Sequence, residues 1–169
     1  MTRPGPVLHL LCGKLASGKS TLARRIAREQ GAILFSEDMW LSRLYPGEIA
    51  TFPDYLERSA RLRSVIAPHA EALLRAGVPV VFDFAGNTPR ERGWVRAIFE
   101  AAGADHLLHS IVASDALCKR QLRRRNEELP EGAKATTEAE FDAITRHFVP
   151  PGEEEGFRVV RHEGGSGDP

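Results

Sequence analysis

The stretch Gly13-Lys14-Leu15-Ala16-Ser17-Gly18-Lys19-Ser20 matches the pattern G-x-x-x-x-G-K-[ST] at every defined position. Glycines at its two ends let the chain fold back so that consecutive backbone N–H groups converge on one anion. A helix starting at Lys19 would add the positive end of its dipole to the same point. Lys19 supplies a cation for the terminal phosphates of a nucleotide, and the Ser20 hydroxyl is suited to Mg²⁺. The flanks agree with this reading. Val7–Leu11 is a short apolar run suited to a buried strand, and Lys19–Gln30 has helical periodicity, with Leu22, Ala23, Ile26 and Ala27 on one face. Gly13, Lys14, Ala16, Ser17, Gly18, Lys19, Ser20 and Thr21 are therefore the expected nucleotide-contacting residues.

Outward from this loop, strands and helices alternate. Further strands are expected at Ala32–Phe35, Val78–Phe82, Leu107–Ala113 and Phe157–Val160. A short helix is expected near Met39–Leu44. A longer one starts near Pro53 and runs to Gly77, kinked or split at Pro68. Thr88-Pro89-Arg90-Glu91 reads as a capping box opening a helix through Ala102. Ser114 or Asp115 caps a helix through Asn126, Leu129–Thr136 is a polar loop, and Glu138–Phe148 is helical. This alternation predicts an α/β fold, a parallel sheet covered by helices on both faces, with ligands at the carboxyl ends of the strands.

Three such ends carry reactive side chains: the Gly13–Ser20 loop, the Glu37-Asp38 pair, and the Asp83–Thr88 segment. Asp83 closes the run Val80-Val81-Phe82-Asp83. It reads either as an aspartate orienting Mg²⁺ or as a strand-end residue bonding nearby backbone. Thr88 is explained as a helix cap, and Asn87 is placed to meet a substrate. No Asn-Lys-x-Asp element is present to read guanine. Lys119–Arg125 carries five cations in seven residues, suited either to a solvated helix face or to neutralising a transferred phosphate.

Taken together, the loop, the size of 169 residues, the acidic residue after strand two and the arginine-rich helix after strand four resemble the small P-loop kinases. The resemblance is to the ATP-binding proteins related to polynucleotide 5′-kinase, zeta toxin and chloramphenicol phosphotransferase. It implies a three-layer α/β/α sandwich with a five-stranded core in the order 2-3-1-4-5, ATP and Mg²⁺ as cofactors, and a helical lid. Residues 1–163 would form one kinase-like domain with the lid at about 115–136, and 164–169 a flexible tail. Asp38 is similar in position to the family's catalytic base, with Glu37 its local competitor. Arg123 and Arg120 are the lid arginines favoured for catalysis beside Lys19, while Ser20 and Asp83 are the expected metal ligands. Acceptor contacts would come from Asp38, Arg43, Arg61 and Asn87. The family's polynucleotide kinases carry an arginine three residues after the base, where Leu41 stands here and Arg43 is nearest, which counts against nucleic acid. The expected activity is transfer of the ATP γ-phosphate to a hydroxyl of a metabolite, antibiotic, nucleotide sugar or nucleic-acid end. The alternative is a regulatory ATP-binding module or a toxin-type kinase.

Composition fits this picture. A formal net charge of zero gives no bulk attraction to nucleic acid or to an anionic membrane. No apolar run reaches the ~20 residues of a membrane span. The only two cysteines, Cys12 and Cys118, have no metal-type spacing and read as reduced thiols of a cytoplasmic protein.

Overall fold

A computed structural model describes residues 5–130 and 135–165. Residues 1–4, 131–134 and 166–169 lie outside the described residues; they take in part of the expected lid and most of the expected tail. The described elements run β1 (Val7–Cys12), α1 (Lys19–Gln30), β2 (Ile33–Ser36), α2 (Glu37–Leu44), α3 (Phe52–Arg75), β3 (Val80–Asp83), α4 (Pro89–Ala102), β4 (Asp105–Val112), α5 (Asp115–Glu127), α6 (Glu138–Thr145), a 3₁₀ turn (Glu153–Glu155) and β5 (Val159–Glu163). The five strands form one sheet in the order β2-β3-β1-β4-β5, every pair parallel. No helix among the described residues is long and apolar enough to cross a membrane.

Alternation along the strands divides the core into two layers. Leu8, Leu10 and Cys12 of β1 face α3 and α4, together with Phe35, Phe82 and Leu108. They meet Leu62, Ile66, Ala70 and Leu74 of α3 and Val95, Ile98 and Phe99 of α4. Leu11 and Val81 face the opposite way, onto Leu22, Ala23 and Ile26 of α1. Each fully buried side chain such as Phe35 or Phe82 contributes about 1.5–3 kcal/mol of transfer free energy. At one flank, Cys118 and Leu122 of α5 and Phe141 of α6 pack against Leu15, Ala16 and Ala113, which seats the arginine-rich helix beside the phosphate loop. Both cysteines are free and buried.

Three expectations need correction. α3 runs unbroken through Pro68. Pro68 and Ser64 both lie on the exposed side, so the carbonyl deprived of a donor is open to water, while buried residues on either side of the proline hold the helix to the core. β5 begins at Val159, not Phe157. Phe157 is instead a plug, its ring set edge-on to Phe99 and covered by the Arg96 guanidinium at 4.3 Å. The helix expected to reach Phe148 ends at Thr145, and Phe148 folds back onto the main core.

On the α1 side of the sheet, three histidines form a chain across three adjacent strands. His9 Nδ1 lies 3.0 Å from His109 Nε2, and His109 Nδ1 lies 2.9 Å from His162 Nε2. A neutral imidazole has one N–H and one bare nitrogen, so neutral rings satisfy such a chain. Burial, followed by the neighbouring His9 and His162, lowers the His109 pKa from 6.5 to about 4. The unfolded chain therefore binds more protons than the folded one between those values. Stability from this group is complete above pH 6.5 and is lost as pH falls toward 4, by up to about 3 kcal/mol. Urea denaturation at pH 7.5 and pH 5 is expected to show a marked loss for the wild type and a smaller one for His109→Gln; equal losses would refute this account.

Candidate functional site

The carboxyl ends of β1, β2 and β3 open on a cleft of about 770 Å³. Its floor is the turn between β1 and α1. Gly18, the N-cap of α1, has φ 104°, and Ala16, at φ 59°, is the one non-glycine residue with positive φ among the described residues. No side chain caps the helix, so its first N–H groups are directed to the cleft. Ser17 Oγ is buried without a hydrogen-bond partner. A left-handed turn, an uncapped helix end and an orphaned hydroxyl together fit an anion of the size of a polyphosphate. Gly13 must be glycine: a Cβ there would stand 2.7 Å from Ser17 Oγ and 3.2 Å from Ile111 Cβ.

Ala16, Ser17, Gly18, Lys19, Ser20 and Thr21 line the cleft as expected, but Gly13 and Lys14 do not. Gly13 instead donates its N–H to Asn87 Oδ1 at 3.0 Å, tying the loop to the segment after β3. Lys14 turns its ammonium to Asp115 at 2.6 Å and to the Ala113 carbonyl, tying it to the start of α5. Lys19 Nζ donates to the carbonyls of Gly13 and Lys14 at 2.5 and 2.9 Å. Burial pushes its pKa down, against the pull of nearby Asp83 and Asp38.

Glu37 and Asp38 are adjacent in sequence and opposite in role. Ser36 is the N-cap of α2, so neither carboxylate caps it; both lie in the first turn. Glu37 is 2% exposed. It accepts from Tyr55 Oη at 3.2 Å, from Ser59 Oγ, and from Arg63 Nε at 3.2 Å. Arg63 is in turn stacked over Trp94 at 4.8 Å. Asp38 is open to the cleft, and its carboxylate takes part in none of these bonds. Its pKa is raised, first by loss of hydration among the surrounding protein atoms, then by Glu37 and Asp83, with Arg125 and Lys19 opposing. Asp83 lines the same cleft, brought beside Ser36 by the β2–β3 register.

The arginine helix is rotated from the expected register. Arg120 and Arg123 do not line the cleft; Gln121, Arg124 and Arg125 do. Cys118 and Leu122 fix one face of α5 inward. Lys119 and Arg123 are drawn to α6 by Asp142 at 2.8 Å and Glu138 at 3.4 Å. Helical spacing then turns positions 121, 124 and 125 to the cleft. Arg43 and Arg61 are also outside it. Arg43 is two residues past buried Leu41 and so on the other side of α2, and Arg61 is exposed and paired with Glu57 at 2.6 Å. Asn87 does line the cleft.

Sequence reasoning missed Arg24, Arg25 and His162 at the cleft wall. It also missed Arg92, which is fully buried on α4 and gives both Nε and Nη2 to Glu155 at 2.7 Å. Its Nη1 donates to Gly86 O at 3.0 Å and Val149 O at 2.8 Å. Only periodicity offered a signal: position 92 falls on the buried stripe of α4 with Val95 and Phe99.

A family profile described as an AAA domain matches residues 8–151. No curated protein matches the sequence. Among solved structures, the chain is similar to a kinase-assigned protein from Chloroflexus aurantiacus at 17% identity and TM-score 0.75, covering 96% of this chain and 87% of that one. It is similar to a gluconokinase from Sinorhizobium meliloti at 17% identity and TM-score 0.64, covering 98% and 86%. It is also similar to Kti12 from Chaetomium thermophilum, solved with ADP-AlF3, at 13% identity and TM-score 0.67, covering 91% and 88%. At these identities the likeness establishes a shared fold. With the loop motif and the strand order, the match over residues 8–151 means that this chain belongs to the AAA domain family of P-loop proteins.

Proposed function

We propose that the chain is an ATP-dependent phosphotransferase acting on a hydroxyl acceptor. The observation behind this reading is one cleft lined both by Lys19 and Ser20 at the phosphate loop and by Asp38, a carboxylate with raised proton affinity and no hydrogen-bond partner among the described residues. A base that draws a hydroxyl proton works best with its pKa raised toward neutral, and it must face the reacting phosphate. Ala16–Thr21 would cradle the phosphates, with Lys19 leaving its two carbonyl partners for them. Arg124 and Arg125 would meet the charge that develops on the transferred group. Ser20 and Asp83 would hold Mg²⁺, which when bound adds positive charge at the phosphate oxygens. In the transfer, the acceptor oxygen bonds to the γ-phosphorus as its bond to the β-phosphate oxygen breaks. ADP departs with that electron pair, and the acceptor proton goes to Asp38.

Lys19→Ala removes a cation and no core volume, so it is expected to raise the Kd for ATP about tenfold or more while leaving the denaturation midpoint in place. Calorimetry with ATP and Mg²⁺ reads the first, and an unchanged Kd would remove the phosphate-loop assignment.

Asp38→Asn is expected to slow single-turnover transfer about 100-fold or more at saturating ATP, with ATP affinity nearly unchanged. Glu37→Gln acts differently. It leaves Arg63, only 19% exposed, without its carboxylate and should cost about 3 kcal/mol in urea denaturation. Normal transfer by Asp38→Asn would discard the base. Tight ATP binding without transfer to any acceptor would favour the regulatory reading instead.

A further inference from the structure

A second cavity, of about 330 Å³, adjoins the cleft at Asp38 and Tyr55. It is formed by α2, the loop after it and the start of α3, and lined by Asp38, Leu41, Ser42, Tyr45, Ile49 and Tyr55. It shares Asp38 and Tyr55 with the main cleft, so a molecule seated in it borders the same carboxylate that lines the phosphate site. Leu41 is buried, and Tyr45, Ile49 and Tyr55 are half-buried against the core, so the wall is preformed and largely apolar or aromatic.

The two cavities differ in charge. The cleft is lined by Lys19, Arg24, Arg25, Arg124 and Arg125. Among the described residues, no lysine or arginine lines the second cavity. Of the arginines nearby, Arg43 follows the lining residue Ser42 on α2 but is exposed and outside the lining, and Arg58 and Arg63 are committed elsewhere. Arg58 lies over the Tyr45 ring at 4.9 Å, with its guanidinium 3.1 Å from Glu48 and 3.9 Å from Glu57. Arg63 is held by Glu37 and by the Trp94 ring. The hydroxyls are partly spoken for as well, Tyr55 donating to Glu37 and Ser42 to the Met39 carbonyl. A phosphate or carboxylate on an acceptor would sit here beside Asp38 and Glu37 with no cation among the lining residues to meet it. That arrangement is repulsive and costs desolvation without return.

Resting on the phosphotransferase reading above, we infer that the acceptor is a small hydroxyl-bearing molecule without phosphate or carboxylate, neutral or cationic, that lays an apolar or planar face between Tyr45, Ile49 and Leu41 and offers its hydroxyl to Asp38. Sugar phosphates, sugar acids, nucleotides and nucleic-acid ends are excluded as acceptors on the same ground.

The charge preference of the cavity can be measured without knowing the acceptor. Ser42 is an exposed lining residue, and both native cysteines are fully buried, so Ser42→Cys provides a single reactive thiol in the cavity. Its modification rates by methanethiosulfonate reagents of matched size, one an ethylammonium and one an ethylsulfonate, are divided by the rates for a free small thiol. The cationic reagent should be favoured about tenfold after this correction, and the preference should shrink in the Asp38→Asn background. Parity, or preference for the sulfonate, overturns the inference. The second arm offers ATP, Mg²⁺ and matched pairs of acceptors, each an alcohol and its own phosphate monoester or carboxylate. A higher kcat/KM for the uncharged or cationic member supports the inference, and a higher value for the anionic member overturns it. Failure to bind ATP by calorimetry would overturn the underlying phosphotransferase reading. An ATP-binding, Asp38-dependent enzyme that prefers anionic acceptors would overturn this inference alone.

Discussion

The rim of the cleft is organised around the guanidinium of Arg92. It is fully buried, and its donors reach three places on the chain: the loop after β3 at Gly86, and, some sixty residues on, the chain leaving α6 at Val149 and the 3₁₀ turn at Glu155. A planar fork of five N–H groups can satisfy such a set of acceptors, whereas an ammonium, a point charge, would not hold their relative angles. Asn87, one residue past Gly86, accepts from the Gly13 N–H and takes the Val149 N–H on its carbonyl at 2.8 Å. The phosphate loop is thus referenced, through one amide, to a buried charge on the other face of the sheet. Removing a partner from such a pair typically costs about 3–5 kcal/mol, because the remaining charge is stranded.

Glu37 and Asp38 illustrate how one step along a helix assigns chemistry. Successive helical positions differ by about 100°, enough to send one carboxylate inward and the next into solvent. The inward one gathers Tyr55, Ser59 and Arg63 from a single helix and fastens α2 to α3. The outward one borders the cleft, where loss of hydration first, and then the charges of Glu37 and Asp83, raise its affinity for a proton. Glu37 therefore has a structural engagement that Asp38 lacks.

Legibility from sequence followed the range of the physics. The loop, the capping box Thr88–Glu91 and the strand–helix alternation are local, and their consequences follow from residues a few positions apart. What was not legible depends on partners far away in the chain. Arg92 looks like any helical arginine until Glu155, 63 positions on, folds beside it. The rotation of α5 is fixed by Phe141 and the acids of α6, so no pattern within Lys119–Arg125 could tell that Arg124 and Arg125, and not Arg120 and Arg123, line the cleft. Pro68 does not split α3, because the packing on both sides of it outweighs the local preference of a proline.

The histidine file across β1, β4 and β5 has a consequence of another kind. Each N···N bond needs one proton between its two nitrogens, so two neutral rings cannot both offer N–H, or both offer lone pairs, across the same 3.0 Å gap. Three neutral rings joined by two such bonds therefore have only two acceptable tautomer patterns, mirror images in direction. In one, every proton points from His9 toward His162; in the other, every proton points back. No ring can change its tautomer alone: reversing His109 leaves one gap empty and the other doubly filled, and reversing either end ring leaves its one gap empty or doubly filled. Three strands that are far apart in sequence consequently share one binary degree of freedom, and His162, the member at the cleft wall, carries its outer end.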